Sequence, residues 1–176
     1  MKRKIIFWVL FAVIIVVFTC YMCSTYVIDV KGLNITDADN YIAYSDYVFV
    51  GEVLEVGETG SANSEPSKIP YTNITIKVEE NLKGTLVDEV KIKKIGGKSQ
   101  KTKLKYVIKS NGKKDVFPEV GEKYIFITSC EQDGTIMSQF DGSLLLTKEN
   151  YSLVKNSIDK DVEFIKERYT SEYDLY

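Results

Sequence analysis

Histidine is absent from this 176-residue chain. That single absence removes Ser-His-Asp and Cys-His catalysis and every imidazole-based zinc site. Cysteine is scarce: Cys20 and Cys23 close an apolar stretch near the N-terminus, and Cys130 stands alone in the remainder. A lone cysteine has no internal disulfide partner, so the folded part is not a disulfide-stapled secreted scaffold and must be held by its core. Cys130 is read as a small buried residue. Three prolines and 11 glycines exclude a collagen-like or low-complexity chain. The formal net charge of -2 is too small to imply a partner by itself.

What is present resembles an ordinary folded protein, with 27% charged and 44% hydrophobic residues. Aromatics reach 12%, and 12 of them are Tyr, an enrichment that suits strands. Setting aside about 25 N-terminal residues leaves roughly 150, enough for one domain with a real core.

The N-terminus reads as a membrane segment. Met1-Lys2-Arg3-Lys4 is a basic cap, and no charge follows until Asp29. As a helix, residues 5–23 would span about 28 Å, close to the ~30 Å hydrocarbon core. The basic cap favours an inside N-terminus and an outside domain. An uncleaved signal anchor over 5–25 is favoured over a cleaved signal peptide, because no good small-x-small site lies near Met22–Thr25. Lipidation is disfavoured by bulky Phe18 and by Thr19 ahead of Cys20. The Cys20-x-x-Cys23 pair reads as two soft apolar residues one helical turn apart, not as a redox or metal site.

Beyond a linker and short helix over 26–44, strand signals dominate. Tyr47–Val56 is apolar on both faces at first and alternating later, as in a strand closing into a barrel, with Gly51 allowing strong coiling. Residues 57–70 read as a polar loop. Ile74, Ile76 and Val78 alternate with Thr75, Lys77 and Glu79. Asn81-Leu82-Lys83-Gly84 reads as a turn. Val90 and Ile92 mark a third strand ending at Gly96-Gly97, and 104–108 a weaker fourth. Lys123–Ser129 is a strong strand, and Asp133-Gly134 a hairpin leading to Thr135–Phe140. Tyr151, Val154, Ile158, Val162, Ile165 and Tyr169 then recur at helical spacing, with Asn150 as the expected cap.

This pattern resembles a known group. Ser45-Asp46-Tyr47-Val48-Phe49-Val50-Gly51-Glu52-Val53 is similar to the first barrel strand of the netrin-like, or TIMP-like, OB-fold superfamily. The later Thr75-Ile76-Lys77-Val78, Asn81-Leu82-Lys83-Gly84 and Val120-Gly121-Glu122-Lys123-Tyr124-Ile125-Phe126 follow the same order. The resemblance covers residues 45–130. It implies a mainly β, five- to six-stranded OB-fold-like barrel over 45–146, followed by a C-terminal amphipathic α-helix and tail over 147–176. It points to a bacterial cell-surface branch. The superfamily's metalloproteinase inhibitors need a mature N-terminal Cys and several disulfides, both missing here, so protease inhibition is not carried over.

The most unusual local feature is a lysine run. Ten lysines from Lys91 to Lys114 occur with no acidic residue between them. Such density predicts an electropositive hairpin. The candidate binding residues are Lys91, Lys93, Lys98, Lys101, Lys103, Lys105 and, as a stacking residue, Tyr106. Their partner would be anionic: lipid headgroups, an anionic polymer or an acidic protein. Nucleic acid, which OB-folds often bind, is set aside because the expected topology places the domain outside the cell. The plainer alternative is a lysine-guarded edge strand. Asp46, Glu52, Glu55 and Asp141 offer carboxylates, but no spacing pairs them, so no catalytic residue, metal or cofactor is expected. The reading is an extracytoplasmic binding module, with a structural subunit of a membrane complex as the alternative.

Overall fold

The structure is a computed structural model. It describes residues 8, 10–17, 19, 25–30, 38–61, 70–99, 104–110 and 113–159. The described strands are β1 (Thr25–Val30), β2 (Tyr47–Ser61), β3 (Pro70–Lys83), β4 (Glu89–Ile95), β5 (Gly97–Lys98), β6 (Lys105–Ser110), β7 (Lys113–Lys114), β8 (Lys123–Cys130) and β9 (Ile136–Leu145). Two helices accompany them, α1 (Ala38–Ala43) and α2 (Lys148–Ile158). The protein is thus mainly β with a C-terminal helix.

Five strands pair in the closed order β2-β3-β4-β9-β8. Every contact in this ring is antiparallel except β4 with β9, which is parallel and only three residue pairs long. Alternation decides which side chains point into the ring. Phe49 and Val53 on β2, Ile74 and Ile76 on β3, Val90 and Ile92 on β4, and Tyr124 and Phe126 on β8 form one buried cluster. The Phe49 and Phe126 rings stack with centroids 5.3 Å apart.

Val48 and Val50 on β2 and Ile125 and Ile127 on β8 point the other way, yet they are also buried. Ile42 of α1 and Val154 of α2 cover them and complete a second cluster. Two helices over the outer face explain why both strands read as continuous apolar runs. Gly51 is needed where β2 crosses β3. A Cβ there would collide with Ile76 Cγ2 and lie 2.9 Å from the Lys77 carbonyl.

Several boundaries differ from the sequence expectation. Residues 25–30 form a strand where the expected span ends and the expected linker begins, paired in parallel with β6; Thr-Tyr-Val-Ile-Asp-Val is a β-favouring string. β2 runs past the expected loop start to Ser61, through several register shifts. β3 runs through the expected turn to Lys83, and the reversal lies beyond it. There the Asn81 side chain donates to the Leu86 carbonyl and accepts its N–H, each at 3.1 Å. Cys130 is exposed at the end of β8, not buried.

The cap of α2 is Thr147 rather than Asn150, its Oγ1 accepting the Asn150 N–H at 3.1 Å. Asn150 instead donates its side-chain amide to the Leu145 carbonyl at 2.9 Å. Thr147→Ala should therefore cost about 1 kcal/mol in a urea melt, where Asn150→Ala removes only an exposed side-chain bond. The expected helix positions Val162, Ile165 and Tyr169 lie outside the described residues.

No helix among the described residues is long and apolar enough to cross a membrane. The expected span 5–25 falls partly outside them; within it, residues 10–17 are helical and exposed throughout.

Candidate functional site

The segment between β4 and β8 builds a second, smaller sheet. Gly96 and Gly97, at φ 104° and 107°, turn the chain out of β4 into β5. The Gly96 carbonyl accepts the Thr72 hydroxyl at 2.8 Å, and a Cβ on Gly97 would strike that same oxygen. Gly97→Ala, strained in backbone and in space, should lower stability by about 1–3 kcal/mol, measured by denaturant unfolding.

In this sheet β6 is central. β1 runs along one edge; β5 and β7 pair with the two ends of the other. Lys98 lies opposite Lys105, and Lys109 opposite Lys114. Cross-strand partners share a face, and so do residues two apart on one strand. Lys98, Lys105, Lys109 and Lys114, carried by β5, β6 and β7, therefore occupy one face of this sheet. Val107 shares it, with Val27 of β1 beside it in register and 47% exposed. Asp29 holds the register position next to Lys109. Like charges directly opposite one another destabilise a sheet, and here two such pairs stand at the two ends of one edge of β6.

The other candidates separate. Lys91 and Lys93 belong to β4, in the ring. Lys91 is exposed, opposite Thr75. Lys93 is occupied locally: its amine donates to Thr135 Oγ1 at 3.4 Å and lies 5.2 Å from the Tyr71 ring centroid. Lys101 and Lys103 lie outside the described residues. Tyr106 is half-buried and one residue out of phase with Lys105, so it shares the inner face with buried Ile108 and does not stand among the lysines.

A second constellation was not foreseen. Lys94 continues the inward-facing series of Val90 and Ile92 and is completely buried. Its Nζ lies 2.8 Å from Asp115 Oδ2, with the two side chains 0% and 5% exposed. The other carboxylate oxygen of Asp115 accepts the backbone N–H of Asp141 at 3.1 Å. Asp141 takes left-handed backbone, φ 55°, where β9 bends. Behind it, a Cβ on Gly142 would sit 2.7 Å from Tyr41 Oη and 2.6 Å from the Ile127 carbonyl.

Burial governs the protonation of this cluster. It pushes the Lys94 amine below its usual range, against the opposing charges of Asp115 and Asp141. It pushes the Asp115 carboxyl up, against Lys94 and against backbone N–H donors at Asp141 and Val116. It also holds the Tyr41 phenol well above its ordinary range, with Asp115 and Asp141 adding to the effect. Of the four carboxylates singled out from the sequence, only Asp141 joins this cluster, and its neighbour Asp115 was not among them. Asp46 is structural, its Oδ2 accepting the Cys130 N–H at 2.7 Å. Among the described residues no three His, Cys, Asp or Glu side chains gather as a metal site. No family model and no curated protein matches the chain.

Proposed function

We propose that the protein is a membrane-held, extracytoplasmic binding module on an OB-fold-type barrel of the netrin-like kind, and that its lysine face takes the anionic headgroups of the membrane that holds it. The observation that carries this reading is the single face bearing Lys98, Lys105, Lys109 and Lys114. Two like-charged cross-strand pairs are unfavourable for the sheet alone and become favourable against an anionic surface. Val27 and Val107 at its centre suit the apolar layer beneath headgroups.

The chain path supports the same partner. The uncharged N-terminal stretch passes directly into β1 at Thr25, so an anchored segment would hold this sheet next to the bilayer. The exposed apolar helix over 10–17 favours such an anchor. The barrel reading is supported by the ring order, in which the third strand pairs in parallel with the fifth and the first pairs with the fourth.

The test is co-sedimentation of the 25–176 fragment with phosphatidylglycerol and phosphatidylcholine vesicles at low and high salt. Binding should require the anionic lipid and fall with salt. At about 1 kcal/mol per lysine near the surface, changing all four lysines to Glu should weaken partition by on the order of a thousand-fold. Equal binding to neutral vesicles, or no loss in the variant, would sink the proposal. Retention by lipid-free envelope material alone would move the partner to an anionic polymer.

A further inference from the structure

We propose that the side chains of Lys94 and Asp115 join in an intramolecular amide bond, a covalent clasp that closes the chain segment carrying the lysine face. This inference stands independently of what that face binds.

The geometry comes first. With Nζ 2.8 Å from Oδ2, the carboxyl carbon lies at most one further carbon–oxygen bond of ~1.2 Å away. That bound is about 4.0 Å, so an approach of about half an ångström brings the atoms into the ~3–3.5 Å near-attack range, where fixed pairs behave as if at ~10⁵–10⁸ M. Both partners are fixed. Lys94 sits in register between Thr72 of β3 and Ser138 of β9. Asp115 is held by its own N–H on the Ile108 carbonyl at 2.9 Å and by its carboxylate on the Asp141 N–H.

The chemistry fits this site. Amide formation needs a neutral amine and a protonated acid, and burial moves both groups in those directions. Nζ attacks the Asp115 carboxyl carbon, and the bond from that carbon to Oδ2 breaks. Oδ2 leaves with its own proton and one amine proton as water. Oδ1 becomes the amide oxygen, and the second amine proton stays on nitrogen. An amine and an acid give an amide and one water, with no oxidant, reductant or activating group required. Negative charge develops on Oδ1 in the addition step, where the Asp141 N–H already points. The Asp141 carboxyl belongs to the residue whose backbone N–H binds Asp115, and its charge is felt by Lys94; it is assigned the transfer of the proton from nitrogen to the leaving oxygen. The product replaces two buried charges, costly to keep dry, with one neutral amide.

The clasp would do here what disulfides do elsewhere. It would tie the end of β4 to the residue after β7, enclosing β5, β6 and β7 in a covalent loop. The small sheet has little apolar core of its own, and its lysine pairs strain it.

The test is intact-mass spectrometry of the full chain in detergent, followed by trypsin. The expected mass is that of the sequence less one water, with a branched peptide joining Lys94 to Asp115. The full sequence mass would overturn the proposal. So would loss of one water with only linear peptides, which marks a succinimide at Asp133-Gly134 or Asp141-Gly142. Lys94→Arg and Asp115→Ala should each restore the full mass. Because either can also disturb folding, Asp141→Asn is the third variant: it keeps both reacting groups, and Asn tolerates left-handed backbone. It should retain the wild-type circular dichroism while remaining largely unclasped; a fully clasped D141N protein would remove Asp141 from the reaction.

Discussion

Asp115→Ala is expected to lower the unfolding free energy by about 3–5 kcal/mol, one of the largest effects of any single substitution in this chain. The reason is what the change leaves behind. Lys94 stays at 0% exposure on an inward-facing position of β4, with the carboxylate 2.8 Å from its amine gone. Its amine must then deprotonate, draw water into the fold or drag β4 outward, and each course costs free energy. The substitution also frees the Asp141 N–H, which loses its acceptor. Should the side chains be joined as amide, the same change removes the clasp as well, so the sign is the same. Urea unfolding followed by far-UV circular dichroism measures it. Lys91→Ala, three residues earlier on the same strand but exposed, should stay within about 0.5 kcal/mol of wild type. Equal effects at the two lysine-linked positions would mean that Lys94 is not buried in the folded protein.

Phe126→Ala should cost about 3–5 kcal/mol by emptying the ring's interior. Phe126 is fully buried, stacks on Phe49 at 5.3 Å and tilts against Tyr124 at 5.9 Å. It is contributed by β8, which also forms the floor for both helices through Ile125 and Ile127. Leu54→Ala is the matched control. Leu54 is apolar and neighbours buried Val53, but it lies on the outer side of β2 and is 41% exposed. A loss below about 0.5 kcal/mol is expected there, and a comparable loss at both sites would mean that β2 is out of phase with the register described.

The parts of the fold visible in the sequence are those set by side-chain parity and turn chemistry. Ile74, Ile76 and Val78 announced β3, Asp133-Gly134 announced the β8–β9 hairpin, and the helical spacing of Tyr151, Val154 and Ile158 announced α2. What escaped was of two kinds. Strand β1 was hidden because Thr25–Ile28 is uncharged and continuous with the apolar stretch before it, so hydropathy alone gives no boundary. The buried ionic cluster was hidden behind composition. Lys94 read as one more member of a solvated lysine run, although the alternation Val90, Ile92, Lys94 already placed it indoors. Its partner Asp115 is the first acid after that run. Parity followed one step further, and the question of what a buried lysine must face, would have found the pair. The left-handed backbone of Asp141 has a local signal, the Asp141-Gly142 dipeptide, but its contact with Asp115 spans the fold and has none.

The parallel pairing of β1 with β6 also decides how the fold responds to force. A pull on the chain ahead of Thr25, directed along the strand, enters the fold through six consecutive register positions. Those contacts are loaded side by side and share the tension, so the strand must slide as a unit before any of them fails. A pull across the sheet would open the same contacts one after another, like a zipper. Tethered from its N-terminal side, the protein is therefore stiff to tension along β1 and yields to torque that lifts β1 off the edge of β6.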